Sequence, residues 1–237
     1  MSVLAGTVLV TGASGGIGQA IARAVALRSA DLSKRDEVER LAEQAGAVDV
    51  FIANAALLAG GLLTDFTQEE IDQILEVNLR APIALARALA PAMIERGRGH
   101  MVFISSLQGK AATPVAPVYC AAKFGLRGFA LALREDLRDD GVGVSVVLPG
   151  FIRDAGMFAD SGVTLPPGVG TRSPEDVARA VLSAVERDRA EVEVAPLPLR
   201  LGTAVASVAP ALAAAVSRRL GSHQIAARIV AGQRAHR

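Results

Sequence analysis

Short apolar runs along this chain alternate with longer stretches in which apolar residues recur every three or four positions. The first run, Thr7 to Val10, ends at a glycine cluster, after which Ala20, Ile21, Ala24 and Val25 follow at helical spacing. That is the pattern of strand, glycine turn and helix. Val48 to Ala53, Met101 to Ile104 and Val144 to Leu148 read as further buried strands, each bounded by turn or polar residues, and Val192 to Ala195 reads as a last strand. Two helix starts are explicit. Thr67-Gln68-Glu69-Glu70 is a capping box opening a helix through Ile71, Ile74, Leu75 and Val77, and Ser173-Pro174-Glu175-Asp176 opens another with proline at its first position. Strands alternating with helices predict an α/β fold with a doubly wound parallel sheet, Rossmann-like, forming a single domain over residues 1–237. Residues 196–237 are expected to form a helical extension of it, and no internal repeat is visible.

Composition narrows the possible roles. The 25 basic and 24 acidic residues give a formal net charge of +1 and are spread without a basic block, which argues against nucleic-acid binding. Apolar residues make up 51%, yet no uncharged run reaches the roughly 18 to 20 residues of a membrane span, and the N-terminus lacks the charged start of a signal peptide. A cytoplasmic protein is expected, with a membrane partner disfavoured. The single cysteine, Cys120, excludes an internal disulfide framework and reads as a small helix residue; His100, His223 and His236 show no metal-ligand spacing, so no metal is expected. The alanine- and valine-rich stretch Thr203 to Val216, broken by Pro210, predicts a small-residue helix packed on the domain or on a neighbouring subunit. A membrane-surface or apolar-substrate element is its alternative.

The chemistry-bearing residues fall in a few places. Glycines 12, 16 and 18 let the chain turn tightly off the first strand and bring backbone amides against a pyrophosphate, although this spacing alone also fits an ordinary glycine-rich turn. The only tyrosine, Tyr119, precedes Lys123 by four residues, so the two share a helix face, and the ammonium can favour the charged phenol. Ser106 lies thirteen residues upstream. This combination points to proton-coupled hydride chemistry.

With the turn, Asn54-Ala55-Ala56, Asn78, Ser106, Tyr119 to Lys123 and Pro149-Gly150 in this order, residues 5 to 190 resemble the short-chain dehydrogenase/reductase family. The resemblance implies an oxidoreductase that uses NAD or NADP to interconvert an alcohol with a ketone or aldehyde. It implies that Thr11, Gly12, Ser14, Gly16, Ile17 and Gly18 hold the cofactor pyrophosphate, with Asn54, Ala55 and Ala56 beside it and alanine in place of the usual third-position glycine. Tyr119 would protonate the carbonyl oxygen and Ser106 would hydrogen-bond it. Lys123 would lower the phenol pKa and hold the nicotinamide ribose, and Asn78 would anchor a water leading from Lys123 to solvent. Ser105 is then a strand-end hydrogen-bonding residue. A homodimer or homotetramer built on the long helices around Asn78 and Tyr119 is expected, with a small-molecule substrate. The alternative is a non-catalytic binding protein on the same scaffold.

Two departures from the family stand out. Between the first helix and Asp31-Leu32-Ser33 there is no room for the second strand, its helix and most of the third strand. Asp31 resembles the aspartate that meets the adenine ring, not the ribose-reading acid, because no apolar strand precedes it. Either some 25 to 30 residues are lacking from the numbering, the preferred explanation, or the polypeptide omits them and leaves its first strand at a sheet edge; a Cα step well beyond about 3.8 Å between Val25 and Asp31 would mark the former. The second departure follows Pro149-Gly150. Phe151-Ile152-Arg153-Asp154-Ala155-Gly156-Met157 lacks the threonine that holds the nicotinamide carboxamide, leaving the backbone of Ile152 for that contact. Residues 156–172, rich in glycine and proline, read as a substrate lid with Met157 and Phe158 as apolar contacts.

Overall fold

The computed structural model describes residues 6–22, 30–165, 169–219 and 221–235. Five parallel strands, β1 (Val8–Val10), β2 (Val50–Ala53), β3 (Gly99–Ile104), β4 (Val142–Pro149) and β5 (Glu191–Val194), lie side by side in sequence order. Alternation along the strands sends Phe51, Met101, Phe103, Val144 and Val146 to one face. There they meet α2 (Arg35–Ala45), α4 (Ala81–Glu95) and α5 (Pro117–Asp136). Val50, Ile52, Val102, Ile104 and Val147 point the other way, toward α1 (Gly16–Ile21) and α6 (Pro174–Glu186). Helices therefore cover both faces, as the alternating pattern predicts. Both capping boxes form: Thr67 Oγ1 accepts from Glu70 N–H at 3.2 Å, and Ser173 Oγ accepts from Asp176 N–H at 3.3 Å, opening α3 (Gln68–Leu75) and α6.

The strands run in one direction with no reversal of order. Among the described residues no strand lies between α1 and α2, and β1 pairs only with β2, so β1 is an edge. Its three residues are half-buried whereas all four of β2 are buried. This is the edge expected of a polypeptide that omits the intervening strands. The Cα step between Val25 and Asp31 that distinguishes the two explanations lies outside the described residues.

The helix Gln68–Glu95 is continuous through α3, a π-helical turn at Glu76–Arg80, and α4. It is long and apolar enough to cross a membrane, but Ile74, Val77, Leu85, Leu89 and Met93 on its inward side belong to the packed interior. It is a core helix. After β5 come α7 (Leu197–Val208), α8 (Pro210–Arg219) and α9 (Ser222–Ala235), with the break at Ala209 where Pro210 ends the ladder. The helical extension thus starts earlier than the small-residue run suggests, because Pro198 falls within the first turn of α7, where a proline costs nothing.

Candidate active site

The carboxyl ends of β1, β2, β3 and β4 open on one cavity of about 1970 Å³. At β1 the chain turns at Gly12, whose φ of +67° suits glycine. A Cβ on Gly18 would lie 1.9 Å from the Gly12 carbonyl oxygen, one on Gly12 would lie 2.7 Å from Ala55 Cα, and one on Gly16 would lie 2.2 Å from Ala155 Cβ. These close approaches explain the glycine spacing. Thr11 ties the turn to β2: its hydroxyl accepts from the amides of Asn54 at 3.0 Å and Ala55 at 3.2 Å, while Asn54 Nδ2 donates to the Thr11 and Gly12 carbonyls, each at 3.2 Å. Gly15 caps α1 without any side-chain acceptor, so the first amides of the helix are left for a ligand. Thr11, Gly12, Ser14, Gly16, Ile17, Gly18, Asn54, Ala55 and Ala56 all line the cavity.

The catalytic candidates meet farther along the same wall. Ser106 follows β3, and its hydroxyl accepts from Gln108 N–H at 3.1 Å, opening a short turn. Tyr119 and Lys123 stand on one face of α5 as their spacing predicts, with the Lys123 ammonium 5.7 Å from the phenol ring centroid. Both line the cavity with Ser106. Ser105 plays the supporting part expected of it, its buried hydroxyl donating to the Lys123 carbonyl at 2.8 Å.

Three details correct the sequence-based expectations. Lys123 is buried and its Nζ donates to the Ile104 carbonyl at 2.9 Å, while burial brings its pKa down to about 8. Burial pushes the Tyr119 phenol up to about 12, against a downward pull from its hydrogen bond with Ser106. The phenol is thus held in its neutral form, because desolvation outweighs the pull of Ser106, while the Lys123 ammonium serves the Ile104 carbonyl. Asn78 does not line the cavity. Its Oδ1 accepts from Leu57 N–H at 2.6 Å and its Nδ2 donates to the Leu57 carbonyl at 2.9 Å, so its side chain fixes the loop after β2 and keeps only one N–H and one lone pair beyond that clamp.

The cavity wall past β4 is partly formed by backbone. Gly150 N–H donates to the Val194 carbonyl at 3.1 Å, Arg172 N–H to Phe151 at 2.9 Å and Arg153 N–H to Arg172 at 2.8 Å. That bridge leaves the amide of Ile152 outside its pairing, and Pro149, Gly150 and Ile152 face the cavity. At the opposite end, Asp31 also reaches the cavity, but its Oδ1 already accepts from Ser33 N–H at 3.0 Å and from the Ser33 hydroxyl at 2.7 Å. These bonds, with Lys34 nearby, hold its carboxyl below the usual range.

Sequence reasoning missed several contributors. The π turn at Glu76–Arg80 sets Asn78 facing Leu57, and no residue pattern announces it. Val115 adopts φ +61°, an uncommon state for a β-branched residue, and its carbonyl accepts from Gly61 N–H at 2.8 Å, joining two loops that border the cavity. Lys110, just past Ser106, bonds Glu191 at 2.8 Å and Glu193 at 2.7 Å, while Arg127 of α5 bonds Glu191 at 2.5 Å; this network clamps the Ser106 turn, α5 and β5 together. Its charges are ordinary in the sequence and acquire meaning only through the fold. Leu199, Ala206, Ile225 and Ile229 from the extension wall the cavity as well, which the apolar-substrate alternative for that stretch comes nearest to foreseeing.

The family model described as short chain dehydrogenase matches residues 24–164. The ketoacyl reductase HetN of Nostoc sp. is 34% identical, with 89% of this chain and 88% of that protein covered. Their aligned span of 251 positions exceeds the 237 residues here, so the relative carries internal segments that this chain lacks. A metagenomic short-chain oxidoreductase solved with NADP is 33% identical, at a TM-score of 0.67 over 83% of this chain and 99% of that one. A short-chain dehydrogenase from Sphingobium yanoikuyae, solved with NADPH, shares the fold at 24% identity, with a TM-score of 0.72 over 90% of this chain and 94% of that one. With the parallel sheet and the glycine turn, these matches establish that the chain belongs to the short-chain dehydrogenase family, NAD(P)-dependent oxidoreductases acting on CH–OH groups.

Proposed function

We propose that the protein interconverts an apolar alcohol and its ketone or aldehyde, with Tyr119 as proton donor and acceptor. The observation that carries this reading is that Ser106, Tyr119 and Lys123 line one cavity whose other end is the glycine turn. NAD(P), when bound, supplies or receives the hydride. Thr11, Gly12, Ser14, Gly16, Ile17 and Gly18 would hold its pyrophosphate, with Asn54, Ala55 and Ala56 alongside, Ile152 with Pro149 and Gly150 at the carboxamide, and Asp31 at the adenine.

In the reductive direction Ser106 donates a hydrogen bond to the carbonyl oxygen and orients it. Tyr119 gives its phenolic proton to that oxygen as the C–O bond becomes single, and the resulting phenolate is stabilised by the Lys123 ammonium one helical turn away. Oxidation runs the same proton backwards and needs the phenolate at the start. Because burial holds the phenol neutral, the residues present favour reduction at neutral pH and make oxidation rise with pH. Beyond Tyr119 the cavity walls are Met157, Phe158, Leu199, Ala206, Ile225 and Ile229. That lining suits an elongated apolar carbonyl compound. Phe124 on α5 and Ile94 on α4 remain exposed, which supports homo-oligomerisation through these helices, and we place the protein in the cytoplasm.

The test is a turnover screen of ketones and secondary alcohols with both NAD(H) and NADP(H), repeated on Tyr119→Phe. Activity is expected to fall by about 10³-fold or more with cofactor binding retained. Turnover by the variant at near wild-type rate would remove Tyr119 from the mechanism.

A further inference from the structure

We propose that the outer face of α7 and α8 seats the protein on an anionic lipid bilayer. Six of the eleven exposed large hydrophobics among the described residues belong to this pair of helices: Leu197, Leu201, Val205 and Val208 on α7, and Leu212 and Val216 on α8, between 48% and 83% exposed. Their spacing of three and four gathers them into one narrow stripe on each helix. The opposite sides, through Leu199, Thr203 and Ala206 of α7 and Ala213 and Ser217 of α8, line the same cavity, so both stripes face away from it. Soluble surfaces scatter such residues singly; a stripe of this length marks a contact surface.

Charge selects the occupant. Residues 196–237 contain six arginines and no aspartate, glutamate or lysine, a formal +6, so the formal +1 of the whole chain leaves −5 on residues 1–195. Arg219 falls three residues after Val216 and seven after Leu212, on the α8 stripe itself, and is exposed. Arg200 flanks the α7 stripe, half exposed, and shares its charge with Glu193 at 3.3 Å. Arg218, Arg219 and Arg228 form no ion pair among the described residues. A symmetric contact between two copies through this face would bring the Arg219 side chains, and Arg200 beside them, against one another in an apolar seam, whereas anionic headgroups supply the countercharge. The arginine stems reach along the apolar surface while their heads stay in the headgroup layer.

The geometry is that of a surface element. At 1.5 Å per residue α7 and α8 are about 18 and 15 Å long, short of the roughly 30 Å hydrocarbon core, so they lie in the interface plane. The chain has no tryptophan and its one tyrosine is in the active site, so no aromatic anchor assists. Attachment therefore depends on charge and is sensitive to salt. This inference does not rest on the proposed reaction. The expectation against a membrane partner rested on the lack of a span in the sequence; the exposure of the stripe is visible only in the fold.

Co-sedimentation of the full chain with vesicles tests it. Binding to phosphatidylcholine vesicles containing phosphatidylglycerol should exceed binding to pure phosphatidylcholine by about tenfold or more and fall by a similar factor in about 0.5 M salt. Leu201→Glu combined with Val208→Glu, and separately Arg219→Glu, should each release the protein from anionic vesicles while cofactor binding and helical circular dichroism stay unchanged. Two wild-type results would overturn the proposal without recourse to any variant: no pelleting with anionic vesicles, or equal pelleting with both lipids. So would a double variant that keeps vesicle binding but drops to a smaller species in sedimentation velocity, which would assign the stripe to a second copy of the chain.

Discussion

The two ends of the cofactor cleft are built to different standards. At the catalytic end, Ser106, Tyr119 and Lys123 rest on buried strands and a 20-residue helix, and the ion pairs of Lys110 and Arg127 to Glu191 and Glu193 lock that frame. At the adenosine end, β1 is a three-residue edge strand, and Asp31 is an exposed residue whose carboxylate is occupied mainly by Ser33. The contrast teaches where precision is needed. Proton transfer fails when groups shift by an ångström, whereas an adenine and its ribose are held by several weak contacts, and losing some of them costs affinity but not chemistry. Among the described residues the catalytic end is thus fully framed, although no strand lies between α1 and α2 at the other end.

Lys123→Met should give the largest effect and is the sharpest way to break this comparison. A methionine keeps the apolar volume but removes the charge proposed to stabilise the Tyr119 phenolate, so kcat should fall by about 10²- to 10³-fold with a much smaller change in KM. Activity within tenfold of wild type in steady-state assays would mean that the catalytic end is no more exacting than the other. Next comes the frame beneath it. His100 in β3 hydrogen-bonds Ser145 Oγ at 2.8 Å, and burial lowers its pKa to about 4, with Asp188 pulling it up and Arg134 pushing it down. The unfolded imidazole, near 6.5, binds its proton first. The stability this supplies is therefore complete above about pH 6.5 and lost as pH falls toward 4, by up to about 3 kcal/mol. Denaturant midpoints at pH 7 and 4.5 should show that loss, and His100→Gln should flatten it. An equally steep decline in the variant would assign the acid sensitivity to carboxylates such as Asp188.

Much of this asymmetry is legible in the sequence, and the illegible part has a physical reason. All five strands lie within a few residues of the apolar runs that announce them; β2, β3 and β4 are buried on both faces and need continuous hydrophobicity, while β1 and β5 are only partly buried. Thr67 and Ser173 cap the helices they were assigned, since capping is local chemistry. The shared face of Tyr119 and Lys123 follows from helical periodicity alone. The lysine's hydrogen bond to Ile104 does not follow, because it is set by where β3 ends beneath α5. The resemblance gives Asn78 a water path, and only the packing of Leu57 against the π turn reveals that its amide also clamps the Leu57 backbone. The gap before Asp31 could be read because a whole strand and helix have length. The outward stripe on α7 and α8 could not, because apolar residues at helical spacing look the same whether they face a core or water.

Since Tyr119 is the only tyrosine and there is no tryptophan, the ultraviolet absorbance of tyrosinate reports this phenol alone. In the free protein it should titrate near 12, and the stability held by its raised pKa, complete below about 10, should drain away as pH climbs from 10 toward 12. Circular dichroism recorded alongside separates titration from unfolding. With oxidised cofactor bound, the Lys123 ammonium gains a reason to leave the Ile104 carbonyl, and the phenol should titrate lower by about one unit or more, ~1.4 kcal/mol. An unmoved titration would mean that Lys123 supports the backbone in every state and that activation of Tyr119 comes from elsewhere.

The smallest expected effect lies at the adenosine end. Asp31→Ala removes at most one hydrogen bond to the adenine, about 1 kcal/mol, so the Kd for cofactor should rise about fivefold while kcat stays the same. Fluorescence titration of the reduced cofactor measures the first and steady-state turnover the second. A loss of several hundredfold in affinity would show that Asp31 carries most of the binding at this end, and the two ends would then be equally exacting. No loss at all would leave Asp31 with the role its bonds to Ser33 already give it, ordering the start of α2. Either extreme is decided by the same carboxylate, because among the described residues no strand flanks β1 on its outer side to compensate for its removal.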